Sequence, residues 1–182
     1  MAQKQNRSRY AILGMLSYRP MSGYDIQKSF ADIAGFWQES YGQIYPNLRQ
    51  LLAEGLVSRQ VEERQDGPNR HVYSLTAVGR EELQTWLQQT AELLPIRNEL
   101  LLKLIFGHEA GTEATQRQLE TYREQLTADI GNLHIVEAWQ EAQIDEGDPH
   151  ARYRRMAVRY ALHTNQALLL WCDECLAELN RD

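Results

Sequence analysis

Ser40-Tyr41-Gly42-Gln43-Ile44-Tyr45-Pro46-Asn47-Leu48-Arg49-Gln50-Leu51-Leu52-Ala53-Glu54-Gly55-Leu56 is a short helical pattern that ends in glycine and runs straight into strand-like residues. Ile44, Leu48, Leu51 and Leu52 recur at helical spacing and predict one buried stripe, which leaves Gln43, Asn47, Arg49 and Gln50 nearer solvent. Asn and Gln can pair bidentately with adenine edges and Arg with guanine or phosphate, so the exposed set suits a DNA-recognition helix. An ordinary solvated helix face has the same composition, and these residues alone do not separate the two readings. The helix start is also open. Ser40 with Gln43 has the form of a capping box, whereas Pro46 moves the start toward Gly42 or Gln43. From either start, the first-turn N–H groups form a phosphate site beside Ser40, Gln43 and Tyr45.

The flanking elements favour the DNA reading. Upstream, Tyr10-Ala11-Ile12-Leu13-Gly14-Met15-Leu16 is apolar almost all round and predicts a buried helix, preceded by Lys4, Arg7 and Arg9, a basic arm that either reaches a phosphate or frays. Met21-Ser22-Gly23-Tyr24-Asp25-Ile26 predicts a second helix, with Ser22 as N-cap and Met21 against Ile26 as a hydrophobic staple. Phe36-Trp37 beside Gly35 fits core or interface packing; Trp37 is the candidate for lining an effector pocket. Downstream, residues 56–62 and 71–75 carry β-type residues around Asp66-Gly67-Pro68-Asn69, a hairpin with Arg64, Asn69 and Arg70 near its tip. The order helix, helix, helix, strand, strand is that of a winged helix-turn-helix with a two-stranded wing. Thr76 caps a fourth helix through Leu87, and Pro95 marks a boundary, giving an N-terminal domain over 1–92 and a second over 93–182.

The second domain reads as wholly helical. A long pattern from Thr112 carries Leu119, Tyr122 and Leu126; after a break at Glu146-Gly147-Asp148-Pro149 a last helix carries Tyr153, Met156, Tyr160, Leu168 and Trp171. Such a hairpin cannot bury its whole apolar stripe alone, so these eight residues are the candidate dimerisation set, and a dimer presents two recognition helices to a pseudo-palindromic site. The fold class is therefore mainly α.

The 182-residue chain has a net charge of −6, which looks wrong for a DNA binder until it is divided. Residues 1–80 carry ten Lys/Arg against seven Asp/Glu, and residues 96–182 carry nine against fifteen. The positive half is N-terminal. The start has no apolar run after its charges and no stretch is long and apolar enough to span a bilayer, so a cytoplasmic location is expected. Cys172 and Cys175 fit helix residues better than a zinc or redox pair. The five histidines are scattered, and neither a metal-ligand spacing, a phosphate loop nor a serine-nucleophile motif occurs; no catalysis, metal or cofactor is expected.

The residues Ala11-Ile12-Leu13-Gly14-Met15-Leu16, Met21-Ser22-Gly23-Tyr24-Asp25-Ile26, Gly42-Gln43-Ile44-Tyr45-Pro46-Asn47-Leu48 and Tyr73-Ser74-Leu75-Thr76, in this order, make residues 9–90 resemble the PadR family of bacterial transcriptional regulators. The C-terminal half is similar in pattern to the longer PadR subfamily. The resemblance implies a homodimer that binds double-stranded promoter DNA, usually as a repressor, and is released by a small molecule or stress signal. It implies that Tyr24, Ser40, Gln43, Tyr45, Asn47 and Arg49 face DNA, with Arg64, Asn69 and Arg70 in the wing; Arg9 and Ser22 complete the candidate set. Gln43 stands where threonine or serine is common in the family. An aromatic effector could stack on Trp37 or other tryptophans, although core packing is the better explanation for each. The competing reading is a winged-helix interaction module without DNA binding, which the wing cations and the Gln43, Asn47 and Arg49 face disfavour.

Overall fold

The computed structural model describes residues 6–31, 41–63, 69–92 and 98–181. The chain divides into two compact units, Met1–Glu92 and Leu93–Asp182.

In the first unit, α1 (Arg7–Tyr18), α2 (Gly23–Ala31), α3 (Tyr41–Ala53) and α4 (Ala77–Leu87) surround one apolar cluster. Ile12 and Leu13 of α1, Ile26 of α2 and Ile44 and Leu48 of α3 are its innermost members. The helical spacing read from Ile44 to Leu51 is thus the buried stripe of α3. Gly55 ends α3 at φ +72°, donating to the Leu52 carbonyl at 3.1 Å while Leu56 donates to Leu51 at 3.0 Å. This paired closure satisfies the last carbonyls and sends Leu56 back into the core beside Leu51. It aims the chain directly into β2.

The sheet has three strands, one more than the pattern predicts. β2 (Val57–Glu62) and β3 (Arg70–Leu75) form the expected antiparallel hairpin, with Val57 opposite Leu75 and Glu62 opposite Arg70. β1 (Met21–Ser22) pairs with the other edge of β3, Met21 opposite Tyr73, giving the order β1-β3-β2. Two residues are too few to show a period, so this strand is invisible in sequence. Ser22 still caps α2 as expected: its hydroxyl accepts from the Asp25 N–H at 3.2 Å, and the Asp25 carboxylate accepts from the Ser22 N–H at 2.9 Å. Thr76 caps α4, accepting from the Gly79 N–H at 3.0 Å. Its hydroxyl also lies 2.8 Å from the Gly55 carbonyl, tying the start of α4 to the end of α3.

The second unit contains α5 (Glu99–Ile105), a short 3-10 turn, α6 (Thr112–Asp145) and α7 (Ala151–Leu179). At 34 residues α6 is about 50 Å long. Its antiparallel pairing with α7 is recorded by Gln116 with Asn180 at 3.0 Å, Arg123 with Asp173 at 2.5 Å and Arg154 with Gln140 at 2.9 Å. Leu119, Leu126 and Cys172 form an inner cluster flanked by Leu104, Tyr122, Leu168 and Trp171.

Candidate nucleic-acid interface

On α3 the side chains opposite the buried stripe are Gln43, Tyr45, Pro46, Arg49 and Gln50, all exposed. Tyr45 packs close against the start of α2: a Cβ on Gly23 would lie 2.8 Å from the Tyr45 ring, so glycine there leaves room for the phenol. Tyr24, 60% exposed, and Tyr45, 45% exposed, border an open groove of about 430 Å³ that also includes Ser22, Asp25, Asn69, Arg70 and His71. Three elements meet here: the start of α2, the first half of α3 and the wing strand β3. A surface made of a helix N-terminus, two phenols, an arginine and an amide beside an exposed polar helix suits backbone phosphates flanking a groove.

Inside the groove, one terminal nitrogen of Arg70 donates to the Asp25 carboxylate and lies 3.2 Å from the Ser22 hydroxyl. Burial pushes the Asp25 carboxyl up, but the Ser22 N–H and hydroxyl bonds together with the Arg70 charge outweigh it and hold the pKa below its ordinary value. The carboxylate therefore stays ionised and paired.

Several expected DNA contacts are placed differently. Asn47 is 4% exposed. Its carbonyl oxygen accepts from the Asn6 side chain at 2.7 Å and its amide donates to the Gln43 carbonyl at 2.7 Å, so it braces α3 against the start of α1 and presents nothing to a base. Its position lies between the solvent face and the Leu48 stripe, and a polar partner just before α1, Asn6, holds it inward. Ser22 is buried in the capping network. Arg9 pairs with Glu54 at 2.5 Å, beyond the C-terminal end of α3, which removes it from the Gln43 and Tyr45 end. Asn69 is exposed at the edge of the groove. Ser40, Trp37, Arg64, Lys4 and Pro95 lie outside the described residues. Asp25, His71 and Gly23 belong to the groove without having been singled out for it; the first was legible only as a helix-start residue.

The dimerisation set also divides. Leu119 and Leu126 are fully enclosed within their own unit, and Tyr122, Leu168 and Trp171 pack around them, so these five build the hairpin itself. Tyr153, Met156 and Tyr160 are 60–70% exposed on one face of α7, with Ile135 and Trp139 exposed on α6. Trp86, another candidate for stacking on a ligand, is stacked on Tyr10 with ring centroids 4.6 Å apart. Cys172 and Cys175 are free thiols whose pKa values burial pushes up, the opposite of a reactive pair. Among the described residues no cluster of His, Cys, Asp and Glu could hold a metal, and no helix is long and apolar enough to cross a membrane.

A three-helix core, a recognition helix and a β wing define a winged helix-turn-helix DNA-binding protein. The model of the transcriptional regulator PadR-like family matches residues 12–85, and that described as virulence activator alpha C-term matches residues 96–180. The negative transcriptional regulator PadR of Bacillus subtilis is 27% identical over 96% of this chain and 98% of its own. The crystal structure of that PadR in complex with operator DNA superposes with a TM-score of 0.86 at 25% identity, covering 97% of this chain and 99% of that one. The Vibrio cholerae virulence activator AphA is 33% identical with a TM-score of 0.75, over 95% and 98% of the respective chains. The chain belongs to the PadR-like family of transcriptional regulators and is a DNA-binding regulator.

Proposed function

We propose that this protein is a homodimeric repressor that binds a pseudo-palindromic promoter operator and is released by a small-molecule or stress signal. Residues 1–92 bind DNA; residues 93–182 dimerise and respond to the signal. The observation that carries the reading is the match along nearly the whole chain to an operator-bound negative regulator, with an exposed Gln43, Tyr45, Arg49 face on the corresponding type of helix. Phosphate contacts at Tyr24, Tyr45, Arg49 and Arg70 set affinity, and Gln43 reads a base. Tyr153, Met156 and Tyr160 form the face offered to the second copy. Release follows if the effector binds the DNA-incompetent dimer more tightly. The protein acts in the cytoplasm.

The identity with AphA favours a second polarity, activation from the same kind of site. The test is fluorescence anisotropy with DNA from upstream of the protein's own gene against shuffled DNA, followed by transcription in vitro from that promoter. Tight, sequence-preferring binding that lowers transcript yield supports repression; binding that raises it replaces repression by activation. A preference for neither that DNA nor any duplex selected from random sequence removes the operator reading.

A further inference from the structure

We infer that Asp25 is a positioning residue for DNA binding: it holds one terminal nitrogen of the Arg70 guanidinium and leaves the remaining nitrogens for a backbone phosphate in the groove beside α2. The inference rests on the reading of Arg70 as a phosphate contact. A guanidinium is a planar fork with five donors. Only its Nη2 is engaged among the described residues, by the Asp25 carboxylate and the Ser22 hydroxyl. Nη1 and Nε have no partner among those residues, and Arg70 lines the groove that Tyr24 and Tyr45 border. The grip is itself fixed, because Asp25 Oδ2 also accepts from the Ser22 N–H and hydroxyl at 2.9 Å each. Ser22 in turn is pinned by its pairing with Val72 of β3, two residues beyond Arg70. The arginine is thus preorganised, and binding loses less side-chain freedom than it would with an unheld arginine.

A carboxylate so close has a second effect of opposite sign, since it repels a phosphate and can withhold the arginine as a latch. The two effects make opposite predictions for Asp25→Asn, which keeps an oxygen to accept from the Ser22 N–H but weakens the hold on Arg70. The experiment is a double-mutant cycle with Arg70→Ala, reading full-length protein binding to a random-sequence fluorescein-labelled duplex over a salt series, with thermal unfolding of each variant alongside. Arg70→Ala should weaken binding several-fold and lower the log–log salt slope by about one, one phosphate's worth of released counterion. Asp25→Asn should weaken binding at least threefold when Arg70 is present and cause no further loss when it is absent.

An equal loss in both backgrounds would show that Asp25 acts only through the α2 cap, and tighter binding by Asp25→Asn would show a latch; each overturns the inference. If Arg70→Ala binds like the wild type, the phosphate reading of Arg70 fails and takes the inference with it, which the cycle separates from a failure of Asp25 alone. Should Asp25→Asn not fold, Arg70→Lys carries the test. Lysine keeps the charge but has no rigid fork to bridge two partners, so its affinity should lie nearer Arg70→Ala than wild type; wild-type affinity would overturn the inference.

Discussion

In Met1–Glu92 most of the large aliphatic side chains converge on one cluster, and Tyr24 and Tyr45, two of the large side chains left outside it, border the groove at the wing. Leu93–Asp182 differs. Its hairpin encloses Leu119, Leu126, Leu133, Val158 and Leu162, yet leaves Ile135, Trp139, Tyr153, Met156 and Tyr160 in solvent, with Ile105 and Phe106 of the α5 region also exposed. Exposed apolar surface of that extent is what the proposed second copy would cover. The first unit thus gathers most of its apolar side chains into one cluster, with Val61, Val78 and Leu87 exposed, whereas the second leaves more of them exposed along its helices.

The sharpest way to break this contrast is to charge the apolar face. Tyr153→Glu with Tyr160→Glu should convert a dimer to a monomer by sedimentation velocity while far-UV circular dichroism stays native. Loss of bivalent engagement should then weaken operator binding by about a hundredfold or more. A variant that stays dimeric would place the dimer contact elsewhere on the second unit. Next in size is the core of the first unit: Leu48→Ala removes a fully buried side chain and should cost about 2–5 kcal/mol in urea unfolding. The oligomeric state should not change.

Asn47→Ala comes third and tests the boundary between core and interface. Because the side chain is buried and hydrogen-bonded through both its oxygen and its nitrogen, its loss should destabilise by about 1–3 kcal/mol, leaving the Asn6 amide without its partner. Sequence preference should be unaltered among molecules that remain folded. A relaxed preference at one base per half-site would return Asn47 to the reading surface. By contrast Arg49→Ala should leave stability unchanged, weaken binding to specific and shuffled DNA alike and reduce the salt slope by about one.

These residues also show how far the sequence can be read. The α3 stripe, the Gly55 stop, the Thr76 cap and the β2–β3 hairpin were legible because each is a local signal of period, cap or turn. The strand Met21–Ser22 was not, since its partner Tyr73 is about fifty residues away and two residues carry no pattern. On the surface the failure has one cause. Composition names side chains able to bind DNA without telling which are already engaged within the protein. Asn47 is taken by Asn6, Arg9 by Glu54 and Ser22 by Asp25, and in each pair the partner is distant in sequence or does double service as a cap. In the second unit the same limit divided the apolar stripe: spacing put Leu126 and Tyr160 in one set, but only packing shows that the first is spent inside the hairpin and the second is free to meet another surface.

The smallest effect expected concerns the pairing at the wing. Because the folded-state pKa of Asp25 is lowered, the stability it contributes is fully present above the ordinary carboxylate range and is lost as pH falls through the folded value. Asp25→Asn should therefore be less stable than wild type near neutrality, and the gap should close as urea unfolding is taken down toward about pH 3. The pair is partly solvated, its side chains 32% and 24% exposed, so screening holds the difference to under about 1 kcal/mol. A gap that is constant with pH would mean that the asparagine disrupts the α2 cap and that ionisation of Asp25 contributes nothing. A gap that closes on acidification would show that the charge itself secures β3 to α2, so that the attachment of the wing depends on an ion pair in addition to the apolar core.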